Sequence, residues 1–360
     1  MPTPTGSSIR LTVIVPVRNG ALQLPRCLDA LCNAGYDNYE VIVVDDGSTE
    51  QTMEIARRFG LEPLSTGQTM GPGGARNLGA RRATGQVLVF VDADVVIAPN
   101  VLGLIARDFQ RDAELGAVFG SYDDAPAWND FLSQYKNLMH HYVHQVSSEQ
   151  AVTFWAGCGA IRKDVFEKYG GYNAEKYRLP SIEDIELGYR MTQGGERILL
   201  DKEIQAKHLK RWTWRGLLRA DIFYRAIPWT RLILTTRNLP RDLNLTLGAR
   251  LSASLVGLLL VSLLALAAGA AGVSFGVPLA ALAAVPVALI VVLLALNWPV
   301  YAWFARKRGV WFATRAVPAH WFYYFYSAAV FGACAVVHAV QKFFAAVLRG
   351  IGMGPAAARE

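Results

Sequence analysis

The sequence predicts an α/β domain with a mostly parallel, doubly wound sheet, followed by interfacial helices and a C-terminal transmembrane helical region. Three observations carry this expectation. Through the first two hundred residues, short apolar runs alternate with amphipathic helical patterns, the mark of successive βαβ units. Hydrophobic residues make up 52% of the 360, and a mean hydropathy of +0.23 is high for a wholly soluble chain. The excess lies beyond Leu251, where no acidic residue occurs before Glu360. The expected partition is residues 1–210 for the α/β domain, 211–247 for amphipathic interfacial helices, 248–345 for about three membrane helices, and 346–360 for a tail.

The elements follow in order. A short polar N-terminus, without the basic and apolar regions of a signal peptide, leads into Leu11-Thr-Val-Ile-Val-Pro16, an apolar strand stopped by proline. Residues 22–34 have an amphipathic helical pattern, and Tyr39-Glu-Val-Ile-Val-Val44 reads as a second buried strand. That strand ends in Asp45-Asp46-Gly47-Ser48, a turn able to cap a helix over residues 50–59. A weak strand at 61–64 precedes the glycine-rich loop Gly71-Pro-Gly-Gly74 and a helix through Arg76. The unbroken apolar run Val87–Val91 is expected to be the fully buried central strand. Three loops therefore emerge on one edge, at residues 16–19, 45–48 and 92–94, where open α/β sheets bind ligands. Farther on, residues 129–146 form an aromatic, histidine-rich helix, with His140, His141 and His144 expected at the surface or on the acceptor side of a site. Residues 154–162 are strand-like, with small residues that let a ligand approach. A helix opens near Ser181 and runs to Gln193, and a strand covers 204–208.

Between residues 211 and 241, tryptophan and leucine interleave with arginine, which describes helices lying in a membrane interface. A soluble edge packed on its own core is the plainer alternative. Three apolar spans follow, at about 251–272, 277–304 and 318–344, each long enough for a bilayer core. The loop at 270–276 carries no charge, whereas that at 306–315 is basic. By the positive-inside rule the α/β domain faces the cytoplasm of a multi-pass integral membrane protein, expected in a bacterial inner membrane. The net charge of +7 gathers between Lys202 and Arg250. That juxtamembrane position favours an anionic lipid bilayer, not nucleic acid, as the partner. Cys27, Cys32, Cys158 and Cys334 lack metal-ligand spacing and are expected to stay reduced.

Asp92 and Asp94 end the central strand two residues apart. Two carboxylates that close repel unless protons or a cation compensate, and a hard divalent ion that also takes phosphate oxygens would do so. An Asp-rich turn is the plain alternative. Five motifs extend the argument: Val13-Ile-Val-Pro-Val-Arg-Asn19, Val43-Val-Asp-Asp-Gly-Ser48, Gly74-Ala-Arg-Asn-Leu-Gly79, Val89-Phe-Val-Asp-Ala-Asp94 and Glu183-Asp184. Their order resembles that of family 2 glycosyltransferases with the Rossmann-like GT-A fold, over residues 10–210. With its membrane segment, the chain resembles polyprenyl-phosphate and lipid glycosyltransferases.

The resemblance implies a nucleotide-diphosphate sugar donor and Mg²⁺ or Mn²⁺. It places Pro16, Val17, Asn19, Arg76, Asp92 and Ala93 at the nucleotide sugar, with Asp45 or Asp46 in the nucleoside pocket. Asp94, Asp92 and His208 become metal ligands, Asp184 the catalytic base, and Glu183 its neighbour in the acceptor pocket. Arg211 and Trp212 would guard the diphosphate from the membrane side. Processive relatives carry Gln-x-x-Arg-Trp where this chain reads His208-Leu-Lys-Arg-Trp212, which argues against processivity. An exposed helix arginine, acids drawn to a helix N-terminus and a structural histidine are the plain alternatives for Arg76, Glu183-Asp184 and His208. The activity implied is inverting, metal-dependent transfer of a sugar from a UDP- or GDP-sugar to a membrane lipid acceptor at the cytoplasmic face. Polyprenyl phosphate is the first choice of acceptor and a lipid hydroxyl the second. Two other expectations compete. Asp92-Ala-Asp94 also resembles the nucleophile loop of haloacid-dehalogenase-like phosphohydrolases, and a non-catalytic glycosyltransferase-like scaffold is the other.

Overall fold

The computed structural model describes residues 8–236 and 243–350. They fall into two compact units, residues 8–217 with 243–244, and residues 218–236 with 245–350. The first boundary lies several residues beyond the expected one at 210. Residues 1–7 of the N-terminus, 237–242 of the expected interfacial segment and 351–360 of the expected tail lie outside the described residues.

In the first unit the strands are β1 (Leu11–Val17), β2 (Tyr39–Asp45), β3 (Leu64–Ser65), β4 (Val87–Val91), β5 (Val95–Ile97), β6 (Leu115–Tyr122), β7 (Gln150–Ala151), β8 (Cys158–Arg162) and β9 (Arg197–His208). The helices are α1 (Leu24–Cys32), α2 (Thr52–Arg58), α3 (Gly71–Arg82), α4 (Val101–Arg111), α5 (Phe131–Val146), α6 (Lys163–Lys168) and α7 (Glu183–Gln193). Among the described residues these strands make one sheet, ordered β3-β2-β1-β4-β8-β6-β9-β5, with β7 on β9. The β3-β2-β1-β4 half is parallel. Antiparallel β8 then joins β4 to β6, and β5 returns antiparallel to β9.

Both central strands are buried on both faces, which is why they read as continuous apolar runs and not as alternating ones. Period-two geometry divides their side chains. Val13, Val15, Val89 and Val91 pack with Leu28, Ile105 and Phe109 under α1 and α4. Ile14, Leu88 and Phe90 point the other way, to Phe119, Phe154 and Leu187. Helix α3 rides close on this sheet: a Cβ at Gly79 would press into the side chains of Ile14 and Val44.

The structure departs from the expected boundaries for identifiable reasons. Pro16 does not stop β1. The β1–β4 ladder ends at Ile14↔Phe90, so the missing N–H falls past it, while pairing to β2 continues through Val17↔Asp45. The glycine-rich segment is not a loop but the first turn of α3. Gly71 sits at φ 81°, where a side chain would also collide with the Arg178 carbonyl, and Pro72 suits an opening turn that has no N–H partners to lose. Strand β9 is longer than expected because its first half is claimed by both β6 and β7.

In the second unit a π-helical turn, Ala220–Ala226, runs into α9 (Ile227–Thr236); the short α8 (Trp214–Arg219) precedes it in sequence. Then come α10 (Leu247–Ala270), α11 (Leu279–Leu296), α12 (Trp298–Arg308) and α13 (Val310–Gly350). Among the described residues three helices are long and apolar enough to cross a membrane: α10, α11 and the Val310–Leu348 portion of α13. Leu258, Val261, Leu264, Val287 and Val291 are each more than half exposed on these helices, an arrangement suited to lipid and not to water. The expected span at 277–304 is in fact divided at Asn297. Pro299 removes a donor and disfavours helical geometry before it. The Asn297 amide instead donates to Leu293 O and Ser252 Oγ and accepts from Tyr324 OH. The third span is longer than expected, because α13 passes through Pro318 without ending.

Candidate active site

The carboxyl ends of β1, β2 and β4 bring their loops together as the topology requires. Pro16 and Val17, expected at the nucleotide, are buried within β1, so the exposed side chains at the edge begin with Arg18 and Asn19. Asn19 adopts a left-handed φ of 53°, which asparagine tolerates better than most residues. Its N–H donates to Ser48 Oγ at 2.9 Å and its Oδ1 accepts from Thr49 N at 2.8 Å, clasping the β1 loop to the β2 loop.

The neighbours Asp45 and Asp46 have separate roles. Asp46 accepts from Met70 N at 2.7 Å and Gly71 N at 2.8 Å, so its carboxylate caps the start of α3. Asp45 Oδ2 accepts from Ser48 N, but its buried Oδ1 has no partner. A buried acceptor left unsatisfied is costly unless a ligand fills it. Asp46→Ala should therefore lower the melting temperature of the protein, with a loss of about 1–3 kcal/mol from the two amides left unpaired. Asp46→Asn, which keeps one acceptor, should lose less. Differential scanning calorimetry of the purified protein checks this order.

Arg76 is buried, not the exposed helix arginine of the plain alternative. Its Nη2 lies 2.6 Å from Asp92 Oδ1 and its Nη1 3.0 Å from Glu183 Oε1, which ties the end of β4 to the start of α7. Burial opposes its charge, yet Asp92 and Glu183 outweigh that effect and hold the guanidinium above its usual range. Glu183 Oε2 accepts from Ser181 N, so both of its oxygens are occupied. Burial raises the Asp92 carboxyl despite Arg76, and the nearby Asp94 charge pushes the same way.

Asp94 is held differently. Strand register sets Val95 opposite His208, and Leu209 N donates to Asp94 O at 2.8 Å. The result places His208 Nε2 3.5 Å from Asp94 Oδ2. Burial would raise the Asp94 carboxyl, but the His208 hydrogen bond and the charges of His208 and Lys210 prevail and hold it below its usual range. Among the described residues no group of three or more His, Cys, Asp or Glu forms a metal cluster. Asp94 and His208 nonetheless supply one oxygen and one nitrogen. A divalent ion bound by few protein groups and completed by phosphate oxygens and water fits such a set. Asp92, bound to Arg76, stands at the side of this pair.

Asp184 Oδ2 accepts from Ala156 N at 3.1 Å and Oδ1 from Ile185 N at 2.8 Å. Burial and the Glu183 charge push it up to about 6, the range in which a carboxylate can act as a base near neutral pH. Ala93 packs partly against the core. Arg211 is exposed, its guanidinium 5.0 Å from the Trp128 ring and 3.7 Å from Asp130. Trp212 is buried, and its backbone N–H donates to Ser133 Oγ.

Sequence reasoning places His141 and His144 at the surface or on the acceptor side; both are buried. Their Nδ1 atoms lie 2.7 Å from Tyr122 O and 2.9 Å from Gly120 O, so α5 is pinned to the end of β6. Their i, i+3 spacing puts them on one helix face, the one signal of a shared role. Tyr122, Trp155 and Lys210 carry no such signal in the sequence; folding stacks Tyr122 on His208, sets Trp155 against Tyr122 and brings the Lys210 charge to Asp94.

Residues 12–170 match the family model described as glycosyl transferase family 2. The glycosyltransferase AglE of Haloferax volcanii is 41% identical over 91 residues, which cover 23% of this chain and 30% of the relative. The pre-mycofactocin glycosyltransferase of Mycobacterium tuberculosis is 26% identical over 249 residues, 61% of this chain and 47% of the relative. The chain thus spans less than half the length of either. Among solved structures, the mannosyltransferase PcManGT from Pyrobaculum calidifontis, in complex with GDP-Man and Mn²⁺, superposes with a TM-score of 0.59 at 25% identity, covering 87% of this chain and 88% of that one. The sheet is accordingly GT-A-like. The phosphohydrolase alternative loses its ground, since Asp92 follows the fourth strand and its carboxylate is committed to Arg76. Residues 12–170, less than half of the chain, are thus a family 2 glycosyltransferase domain.

Proposed function

We propose that the chain transfers one sugar, with inversion, from a UDP- or GDP-sugar to a membrane lipid acceptor, on the cytoplasmic face of a bacterial inner membrane that it spans several times. The observation that carries this reading is the pair of Asp94, after β4, and His208, at the end of β9, beside the Arg76-bound Asp92. The likeness to a mannosyltransferase bound to GDP-Man and Mn²⁺ supports a nucleotide-sugar donor and a divalent ion. Held by Asp94 and His208, Mg²⁺ or Mn²⁺ would act as a Lewis acid and offset the charge that grows on the leaving nucleoside diphosphate.

The chain's own residues do the rest. Asp45 Oδ1 accepts from an N–H of the base or a ribose hydroxyl, which satisfies its free lone pairs. Asn19 and Asp46 keep the loops that shape that pocket in place. Arg76 fixes Asp92 against the donor while it holds Glu183 at the start of α7. Asp184 takes the proton of an acceptor hydroxyl onto its carboxylate as the new glycosidic bond forms. Glu183 contributes by raising the basicity of Asp184 through its charge. An acceptor that is already an ionised phosphate would give Asp184 no proton to remove. Arg211, exposed beside Trp128 and Asp130, would turn its guanidinium to the diphosphate. The three long apolar helices support a lipid acceptor, and the arginines at 215, 219 and 225 suit anionic headgroups.

The test is direct. Purified protein in nanodiscs is incubated with Mn²⁺ or Mg²⁺ and a panel of UDP- and GDP-sugars, with undecaprenyl phosphate or diacylglycerol as acceptor. One donor should yield a glycolipid identifiable by mass spectrometry. Release of free sugar without glycolipid across the panel would overturn the lipid acceptor, and no turnover of any donor would favour a non-catalytic scaffold.

A further inference from the structure

We propose that Tyr122 is a positioning residue for His208, holding the imidazole in the plane from which its Nε2 faces Asp94; this rests on the reading of His208 as a metal ligand. Tyr122 ends β6 and pairs with Ala206 on parallel β9. His208 lies two residues farther along β9, on the same face of the sheet. Their rings stack at 4.2 Å between centroids and 8° between planes. That face-on contact confines rotation of the imidazole, which a buried position alone does not.

Tyr122 is itself locked. The Trp155 ring meets it edge-on at 4.8 Å and 84°, and His140 lies against it at 4.4 Å. The backbone is fixed as well, because a carbonyl can only accept. His141 Nδ1–H therefore donates to Tyr122 O, and His144 Nδ1–H to Gly120 O. Burial pushes His144 down to about 4, so it remains a neutral ring in that tautomer. The histidine-rich face of α5 thereby anchors the strand end whose aromatic ring orients the ligand. Groups that orient a metal-binding histidine weaken metal affinity by roughly 10–100-fold when removed.

The experiment titrates Mn²⁺ into the full-length protein in nanodiscs with saturating UDP or GDP, reading free Mn²⁺ by electron paramagnetic resonance, and measures nucleotide binding in EDTA separately. Wild type is compared with His208→Ala, Tyr122→Leu, Tyr122→Phe and Trp155→Leu. Tyr122→Leu should weaken Mn²⁺ binding by roughly 10-fold or more, Trp155→Leu by less, and Tyr122→Phe, which keeps the ring, should behave as wild type. Nucleotide binding in EDTA should stay unchanged, a split that simple loss of folding would not produce. Wild-type Mn²⁺ affinity in both leucine variants, with His208→Ala impaired, overturns the role of Tyr122 and leaves the metal reading intact. Wild-type affinity in His208→Ala overturns the metal reading and this inference with it. Equal losses in Tyr122→Phe and Tyr122→Leu would assign the effect to the hydroxyl and also overturn it.

Discussion

Asp94→Ala should abolish sugar transfer, and excess chelator should do the same to the wild-type protein. Asp94 is the carboxylate that the site keeps ionised: His208 and Lys210 hold it below the usual range against the effect of burial. Asp92 shares Oδ1 with Arg76 at 2.6 Å and burial raises its carboxyl, so by itself it compensates poorly for Asp94. Removing Asp94 leaves His208 as the one remaining member of the pair, and a hard ion bound through a single imidazole is weakly held. Stabilisation of a leaving diphosphate by a metal amounts to several kcal/mol, so transfer should fall by about 10³-fold or more. The measurement is initial rate against Mn²⁺ concentration, with nucleotide binding in EDTA as a check on folding. Equal binding of wild type and variant in EDTA, with transfer lost in the variant, is the expected pattern. Full activity of the wild type in excess chelator would sink the metal-dependent mechanism.

The parts of the fold legible in the sequence are those set by local chemistry. Val87–Val91 is expected as a buried strand and is one, since five apolar residues in a row have no solvent-facing alternative in a sheet covered on both sides. The carboxylates after it are legible for the same reason, because a strand end is where polarity returns. What the sequence conceals depends on contacts between distant segments. Pro16 looks like a terminator until the β1–β4 ladder is seen to end two residues earlier. Asp45 and Asp46 are chemically alike, and only the arrival of Met70 and Gly71 at Asp46 makes one a cap and leaves the other with a free oxygen. Arg76 looks like any helix arginine until Asp92 and Glu183 close on it from elements 16 and 107 residues away. Histidines are ambiguous for a further reason: His141 and His144 are polar in composition, yet each can be buried by donating a single hydrogen bond to a carbonyl. In the second unit hydropathy locates three apolar segments, but Asn297 and Pro299 break one of them through a side-chain network that average hydropathy does not register.

Asp184→Asn should lower turnover on a hydroxyl acceptor by roughly 10²–10⁴-fold while donor binding survives. The substitution keeps the shape of the side chain and one acceptor oxygen for the amides of Ala156 and Ile185, but it cannot take a proton. The pH profile separates this role from a structural one. In the wild type, Asp184 is protonated below about 6 and ionised above it, and only the ionised form is a base. The rate on a hydroxyl acceptor should therefore rise as pH increases through about 6 and level off above it, and that limb should vanish in Asp184→Asn. Glu183→Gln should move the limb to lower pH, because the neighbouring charge that helps to hold Asp184 up is gone. This second variant also unpairs one side of Arg76, so donor binding is measured alongside it. The outcome identifies the acceptor as well. A phosphate acceptor ionised across the same range needs no base, so transfer to polyprenyl phosphate that is unaffected by Asp184→Asn would keep the donor site as described and replace the hydroxyl with phosphate oxygen as the nucleophile. Undiminished transfer to a hydroxyl would instead move the base elsewhere.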